Sequence, residues 1–345
     1  MTEHASSSGA APTQTIVIRE APRRSWFAIL LLFLLAISLF FNVGQLGALL
    51  LALSGDVNEP GEPIEVHYSG DRLADAKIAL VDVSGTIMPP FTERILDTLD
   101  HIEKDKSIRG IVLVVDSPGG LVADSHQIYH KLKEVRTKRN LPVYVSMGRM
   151  AASGGYYVAM GAGPDGKIYA EPTTWTGSIG VIIPHYDVSK LAGEFGVRAE
   201  PLTTGPLKDT LNPFREMRDD ERAVWGAIMD DAFVRFQEVI LDGREKQLDA
   251  EQVKSLATGQ VYTAKQAEQN KLIDVIGYLD TAIDDLKTSL KLTKVHVVRY
   301  EHPLSLTEVL LGSAQARQPS DPLRELLDAS VPRAMYFCGW HAGVE

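Results

Sequence analysis

Ile111-Val112-Leu113-Val114-Val115-Asp116-Ser117-Pro118-Gly119-Gly120 is the stretch whose reading decides the fold. Five consecutive apolar residues, mostly β-branched and closed by a Pro-Gly-Gly turn, predict a strand buried on both faces, as strands of parallel sheets are. Working outward, Lys77 to Val83 reads as a preceding strand, and Ile95, Leu99 and Ile102 mark one face of the helix between them. After the turn, Ile128, Leu132 and Val135 mark a second helix, and Pro142-Val143-Tyr144-Val145-Ser146 a third strand. Repeated β-then-α units predict a layered α/β fold with a mostly parallel sheet. Farther on, Trp225, Ile228, Met229, Ala232, Phe236 and Ile240 form the apolar positions of a long helix, and Thr263-Ala264-Lys265-Gln266 has the form of a capping box.

The chain has 345 residues, of which 45% are hydrophobic and 23% charged, an ordinary globular composition with one interruption. From Ser25 to Gly55 there is no Asp, Glu, Lys or Arg. A bilayer core is crossed by about 20 apolar helical residues, so residues 25–53 are expected to span a membrane and contact its lipid. Arg19, Arg23 and Arg24 precede the segment, while Asp56, Glu59 and Glu62 follow it. This asymmetry predicts a cytoplasmic tail over 1–24, disordered by composition, with the remainder on the other side. The alternative is a cleaved signal peptide, for which Ala52-Leu53-Ser54 is a weak cleavage candidate. Residues 54–75 read as a linker rich in Gly, Pro and acidic residues, 76–301 as one folded domain, and 302–345 as an extension of uncertain structure with a short helix hinted at Leu323, Leu326 and Leu327. The net charge of −10 gives no reason to expect nucleic acid, and a single cysteine, Cys338, excludes an intrachain disulfide or a thiolate metal site.

Chemistry concentrates at four polar insertions. Gly119 and Gly120 follow a buried strand, where exposed backbone N–H groups can stabilise an oxyanion; Pro-Gly-Gly alone is also an ordinary turn. Ser153, in Met150-Ala151-Ala152-Ser153-Gly154-Gly155-Tyr156-Tyr157, has an apolar small-residue setting suited to a nucleophile at a helix start, although a serine there can equally be an N-cap. Ser178, in Thr176-Gly177-Ser178-Ile179-Gly180, can orient a base or simply turn the chain into a strand at Ile179–Ile183. Lys208 lies in a loop rich in Thr, Gly and Pro; it can deprotonate a serine only if burial keeps its amine neutral.

Taken in order, these motifs resemble the signal peptide peptidase A family, membrane-anchored Ser–Lys proteases of the Clp-protease/crotonase superfamily. Met147 to Tyr157 is similar to its nucleophile segment, Asp116 to Gly120 to its oxyanion segment, and Thr176 to Gly180 to its turn. Lys208-Asp209 is similar to its base, and Gly259-Gln260-Val261-Tyr262-Thr263 with Leu272 to Gly277 to its closing motif. The resemblance covers about residues 76–290. It implies Ser153 and Lys208 as catalytic dyad, Gly120 and Gly154 N–H as oxyanion hole, and Ser178 as the lysine's partner. It further implies a substrate groove at Gly119, Leu121, Val122, Ile179 and Val181, with no metal or cofactor. The expected activity is endopeptidase cleavage of remnant signal peptides and other apolar peptides, in a ring-shaped homo-oligomer. Both dyad residues lie in one half-sized domain, the family's short form, so the two are expected to meet within one subunit. Gly163-Pro164-Asp165-Gly166 is expected as an enlarged hairpin relative to the family.

Three competing readings remain on the residues. His185 with Asp187 can imitate the Ser–His–Asp arrangement of Clp-type proteases, but follows Val181-Ile182-Ile183 and Pro184 and is expected at a surface or edge. Acyl-CoA enzymes of the superfamily use glycine oxyanion holes without a nucleophilic serine, and need no anchor. A scaffold with a dead protease domain would lack one of the dyad residues, yet both are present.

Overall fold

The structure is a computed structural model that describes residues 26–53, 62–302 and 335–337. The expected tail over 1–24, the short helix near Leu323 and Cys338 lie outside the described residues. The chain divides into two compact units between Glu59 and Pro60. The first contributes one helix, α1 (Trp26–Leu53), which carries an apolar window Ile29–Gly47 of mean hydropathy 2.3. By length and composition that helix can cross a bilayer; a signal sequence would share both properties.

The second unit is built as β1 (Ile64–Gly70), β2 (Lys77–Ser84), α2 (Phe91–Lys104), β3 (Ile108–Ser117), β4 (Gly119–Leu121), α3 (Val122–Arg139), β5 (Val143–Ala152) and α4 (Gly154–Ala159). Then follow β6 (Ile168–Ala170), β7 (Trp175–Gly177), α5 (Ser189–Glu194), α6 (Asp219–Arg244), α7 (Ala250–Leu256), β8 (Val261–Thr263) and α8 (Ala264–Gln269). β9 (Val275–Ile276), α9 (Leu279–Ser289), β10 (His296–Glu301) and β11 (Met335–Phe337) complete the order. The main sheet runs β1-β10-β2-β3-β5-β6-β9, with β7 joined to β5 and β8 to β7. All its pairings are parallel except β1 with β10 and β7 with β8. The α/β layering with a parallel-rich sheet is therefore as the β-then-α spacing predicts.

Period-two alternation explains why β3 is apolar throughout. Ile111, Leu113 and Val115 face one core with α2 and α3, while Val112 and Val114 face a second core with Ile283 and Leu286 of α9. Ile95, Leu99 and Ile102 bury one stripe of α2, and Ile128, Leu132 and Val135 one stripe of α3. Full burial of each such side chain contributes about 2 kcal/mol. Arg139, in the last turn of α3, donates to the carbonyls of Ile102 at 2.9 Å, Glu103 at 2.8 Å and Asp105 at 3.0 Å. It thereby satisfies the carbonyls that the end of α2 leaves without helical partners. The capping box at Thr263 forms as its sequence predicts, with Thr263 and Gln266 bonded reciprocally at the start of α8.

Three expectations need correction. The stretch 54–75 is not linker throughout, because β1 pairs along β10 as the sheet's edge strand; its alternating Val66, Tyr68 and polar residues suit a half-covered strand more than a spacer. Gly163 to Gly166 is a turn from a helical segment into β6, closed by the Gly166 N–H on the Gly163 carbonyl at 3.1 Å, rather than a hairpin. Ile179–Ile183 forms no strand of the main sheet; only Ile182 makes an isolated bridge, to Met335.

Candidate active site

β5 runs from the apolar core to Ala152 and delivers Ser153 at the end of the sheet. Ser153 has φ 56° and ψ −115°, a conformation that a non-glycine residue holds only when its surroundings impose it. They do so through the backbone: the Ser153 N–H donates to the Gly177 carbonyl at 2.7 Å, and the Ser153 carbonyl accepts from the Tyr157 N–H at 2.9 Å. The residue precedes α4 but its side chain does not cap that helix. Its Oγ is buried and makes no hydrogen bond among the described residues. A buried unmade hydrogen bond costs about 1–3 kcal/mol, so the cap alternative supplies no reason for this serine, whereas a hydroxyl kept free for a reacting carbonyl does.

Beside it, β4 approaches the start of α4 more closely than any side chain would permit. A Cβ on Gly120 would lie 2.0 Å from the Ile87 carbonyl oxygen. A Cβ on Gly154 would lie 2.5 Å from the Ser125 Oγ and 3.1 Å from the Gly120 nitrogen. Gly120 and Gly154 are thus neighbours in space although 34 positions apart in sequence. Ser117 holds this turn. Its hydroxyl donates to the Gly85 carbonyl at 2.6 Å and accepts the Gly119 N–H at 3.1 Å. Asp116 accepts the Met150 N–H at 3.2 Å and pairs with Arg149, tying the same turn to β5. The role of Ser117 is not legible from its motif alone; a serine two residues before the first glycine of a turn is the available signal.

Ser178 is buried with φ 50°, and its N–H donates to the Gln260 carbonyl at 2.8 Å. The Gly259 N–H donates to the Ile179 carbonyl at 3.0 Å, so the segment Gly259 to Thr263 is packed directly against the Ser178 turn. Ile179 is buried; Leu121, Val122 and Val181 are half-buried.

Lys208 stands apart. It is exposed, its N–H closes a turn onto the Gly205 carbonyl at 3.1 Å, and among the described residues no hydrogen bond joins its amine to Ser153 or Ser178. The desolvation expected of it within one subunit is therefore not present in the single chain. Its loop is nevertheless ordered by charge. Arg215 bridges Asp209, Nε to Oδ2 at 2.8 Å, and the buried carboxylate of Glu221 at the start of α6. Arg218 adds a contact to Glu221 at 2.8 Å and donates to the Pro206 carbonyl at 2.6 Å. The Arg215 guanidinium holds both the Glu221 and Asp209 carboxyls below the usual carboxylate range. Sequence reading missed Arg215, Glu221 and Arg218, since charged residues near a helix start read as ordinary N-terminal acids and solvated loop bases.

His185 is half-buried and makes no hydrogen bond to the Ser153 Oγ. The Ser189 hydroxyl, and then the Ser189 N–H that Asp187 accepts at 2.9 Å, hold the Asp187 carboxyl below the usual carboxylate range and tie it to the first residue of α5. This pair lacks the orientation that a Ser–His–Asp triad needs.

Residues 135–293 match the model of Peptidase family S49, and residues 69–176 the model of Clp protease. A candidate signal peptide peptidase SppA of Enterococcus faecium is 38% identical over 61% of this chain and 59% of its own length. A candidate protease of Synechocystis is 35% identical over 68% of this chain and 83% of its own. Protease 4 of Salmonella typhi is 31% identical over 66% of this chain and 36% of its own length. The chain thus spans from about a third to most of the length of the relatives it matches.

Proposed function

The chain belongs to Peptidase family S49, a family of serine peptidases, and from that premise we propose that it hydrolyses peptide bonds with Ser153 as nucleophile and Lys208 as base. The observation that carries this reading is the buried Ser153 Oγ, unpartnered among the described residues, on a backbone held at positive φ. Lys208 Nζ takes the Ser153 proton, Oγ attacks the peptide carbonyl, and the N–H groups of Gly120 and Gly154 stabilise the oxyanion. The same amine protonates the leaving nitrogen, then deprotonates the water that releases the acyl-enzyme. Ser178 orients the amine.

Because Lys208 is exposed in the single chain, its arrival at Ser153 requires its loop to close or a lysine from a second copy to enter. The ring-shaped assembly expected of the family is a setting in which either step strips water from the amine. In this reading α1 anchors the protein, with its N-terminal end in the cytoplasm and the peptidase unit outside. The substrates are apolar peptides, remnant signal peptides among them, in keeping with the name of the Enterococcus relative.

The test is hydrolysis of an apolar fluorogenic peptide by the detergent-solubilised protein, together with labelling by a serine-reactive phosphonate. Ser153→Ala should lose both signals. Lys208→Ala and Lys208→Arg should lose turnover, the latter because guanidinium does not release its proton. Retained turnover in Lys208→Ala with loss in His185→Ala would transfer the base role to the histidine.

A further inference from the structure

Two adjacent residues near the start of α3 grip α4 at points one turn apart. Ser125, whose hydroxyl donates to the Leu121 carbonyl at 2.9 Å, stands where a Cβ on Gly154 would lie 2.5 Å from its Oγ. His126 places its Nδ1 2.7 Å from the Tyr157 hydroxyl. Since α3 follows β4 directly, these contacts join the segment that carries the Gly120 N–H to the helix that carries the Gly154 N–H. Tyr157 also reaches the nucleophile through its backbone, its N–H donating to the Ser153 carbonyl at 2.9 Å.

The side chain of Tyr157 is fully buried, with the rings of Tyr129 at 5.5 Å, Phe236 at 5.1 Å and Tyr336 at 4.9 Å. Burial, followed by the neighbouring Tyr336 and Tyr129 hydroxyls, raises its phenol well above the usual tyrosine range, so the hydroxyl keeps its proton. Among the described residues, the His126 Nδ1 is the one hydrogen-bond partner of that hydroxyl. A neutral imidazole offers Nδ1 as an acceptor, whereas an imidazolium has two donors and no acceptor. Protonating His126 therefore leaves the Tyr157 proton buried and unmet, which carries the full desolvation penalty of that group.

His126 is half-buried on the wall of an open cleft of about 720 Å³ between α3 and α6, where water reaches the ring. Burial lowers its proton affinity from the ordinary value of 6.5, and the charges of Arg235 and His130 lower it further. From α3, Tyr129, His130 and Lys133 line the same cleft; from α6, Arg235, Glu238 and Asp242 do. Arg235 pairs with Glu238 and Lys133 with Asp242, each at 2.8 Å, so those charges offset one another. Glu134 and Lys138, farther along α3, pair at 2.6 Å. His130, its ring 6.3 Å from that of His126, is the other histidine of the cleft.

We propose that His126 is a positioning residue of the peptidase site: its neutral imidazole accepts the Tyr157 hydroxyl, pins α4 against α3, and so keeps the Gly120 and Gly154 N–H groups in register around Ser153. Protonating the ring releases α4. The proposal rests on the reading of Ser153 as the nucleophile. The pin is intact above the histidine's ordinary value of 6.5 and is lost as pH falls through the lower value of the folded ring.

The test uses the full-length, detergent-solubilised protein. In cleavage of an apolar fluorogenic peptide at about pH 8, where the histidine is neutral, His126→Phe and Tyr157→Phe should each lower kcat about tenfold with KM unchanged. That is a fraction of the loss from a displaced reacting group. The double variant should lose no more than either single one, because the two share one bond. His126→Asn, whose amide oxygen accepts the same hydroxyl but takes no proton, should restore kcat, and His130→Gln should match the parent. Additive losses, no loss, or a parallel rise in KM would overturn the proposal. Hydrogen exchange in the Ser153→Ala protein reads the pin without cleavage. Protection of residues 154–159, relative to the intrinsic rate at each pH, should fall once pH drops below 6.5 and stay level when His126→Asn is added. Level protection in both proteins would overturn the pin, while this pattern in a protein that cleaves nothing would refute the peptidase reading alone.

Discussion

The Ser153 N–H donates to the Gly177 carbonyl at 2.7 Å, joining the candidate nucleophile to the residue immediately before Ser178. This one bond couples two segments the sequence keeps apart and holds Ser153 at a positive φ of 56°. Ser178, at φ 50°, is set by the next bond in the series, from its own N–H to Gln260. The geometry of the serine therefore depends on a turn that carries none of its atoms.

Ser117→Ala should lower kcat about tenfold with little change in KM. The hydroxyl positions the Gly119–Gly120 turn through Gly85 and touches no substrate, so its loss loosens the oxyanion donors more than the groove. Steady-state kinetics beside a thermal melt checks this; a parallel rise in KM would assign Ser117 to binding.

Gly120→Ala should abolish turnover by about a hundredfold or more while leaving the far-ultraviolet dichroism intact. The added methyl meets the Ile87 carbonyl at 2.0 Å, so β4 must shift and carry its N–H away from Ser153. Activity near that of the parent would remove Gly120 from the oxyanion hole.

Glu221 gives the Lys208 loop a definite pH response. Arg215 depresses the carboxyl below its ordinary value of 4.5, so its stabilisation is complete above that value and lost as pH falls through the depressed one. Protection from hydrogen exchange across residues 205–218, relative to the intrinsic rate at each pH, should fall only once pH has dropped below the carboxyl's ordinary value, and Glu221→Gln should show weak protection and fast exchange already at neutral pH. Slow exchange in that variant would show that other contacts hold the loop.

Arg244→Ala should destabilise the fold by about 3 kcal/mol, within the range for breaking a buried pair. The guanidinium is 1% exposed, bonded to both Asp274 oxygens at 2.8 and 2.9 Å and to the Lys271 carbonyl. Asp274 also accepts the Ile168 N–H, so β6 should loosen first. Denaturant unfolding of the detergent-solubilised protein measures it, and a loss under about 1 kcal/mol would mean that solvent replaces the pair.

Much of the fold was legible because its causes are local. The β-branched run at Ile111–Val115 is buried on both faces in the parallel sheet, and the stripes of α2 and α3 lie where periods of three and four placed them. The capping box at Thr263 needs only its own four residues. β1 was not legible, since a strand held by pairing with residues more than two hundred positions away carries no local mark of its partner. At the site, glycines and serines announced where backbone comes close. The Arg215–Glu221–Arg218 cluster did not, because charge and burial are independent in a linear string.

By itself the order of residues determined the layered α/β architecture, the apolar N-terminal helix and the small-residue turns that can expose backbone amides. Hydrophobic period, β-branching and turn chemistry act within a few residues and need no partner to be read. Only the tertiary structure decided that Gly120 lies against Gly154, that Ser153 keeps a buried hydroxyl free, that Lys208 stays in solvent and that Tyr336 fills an aromatic pocket beside them. Those are distances and exposures between remote segments, and they exist only once the chain has closed on itself.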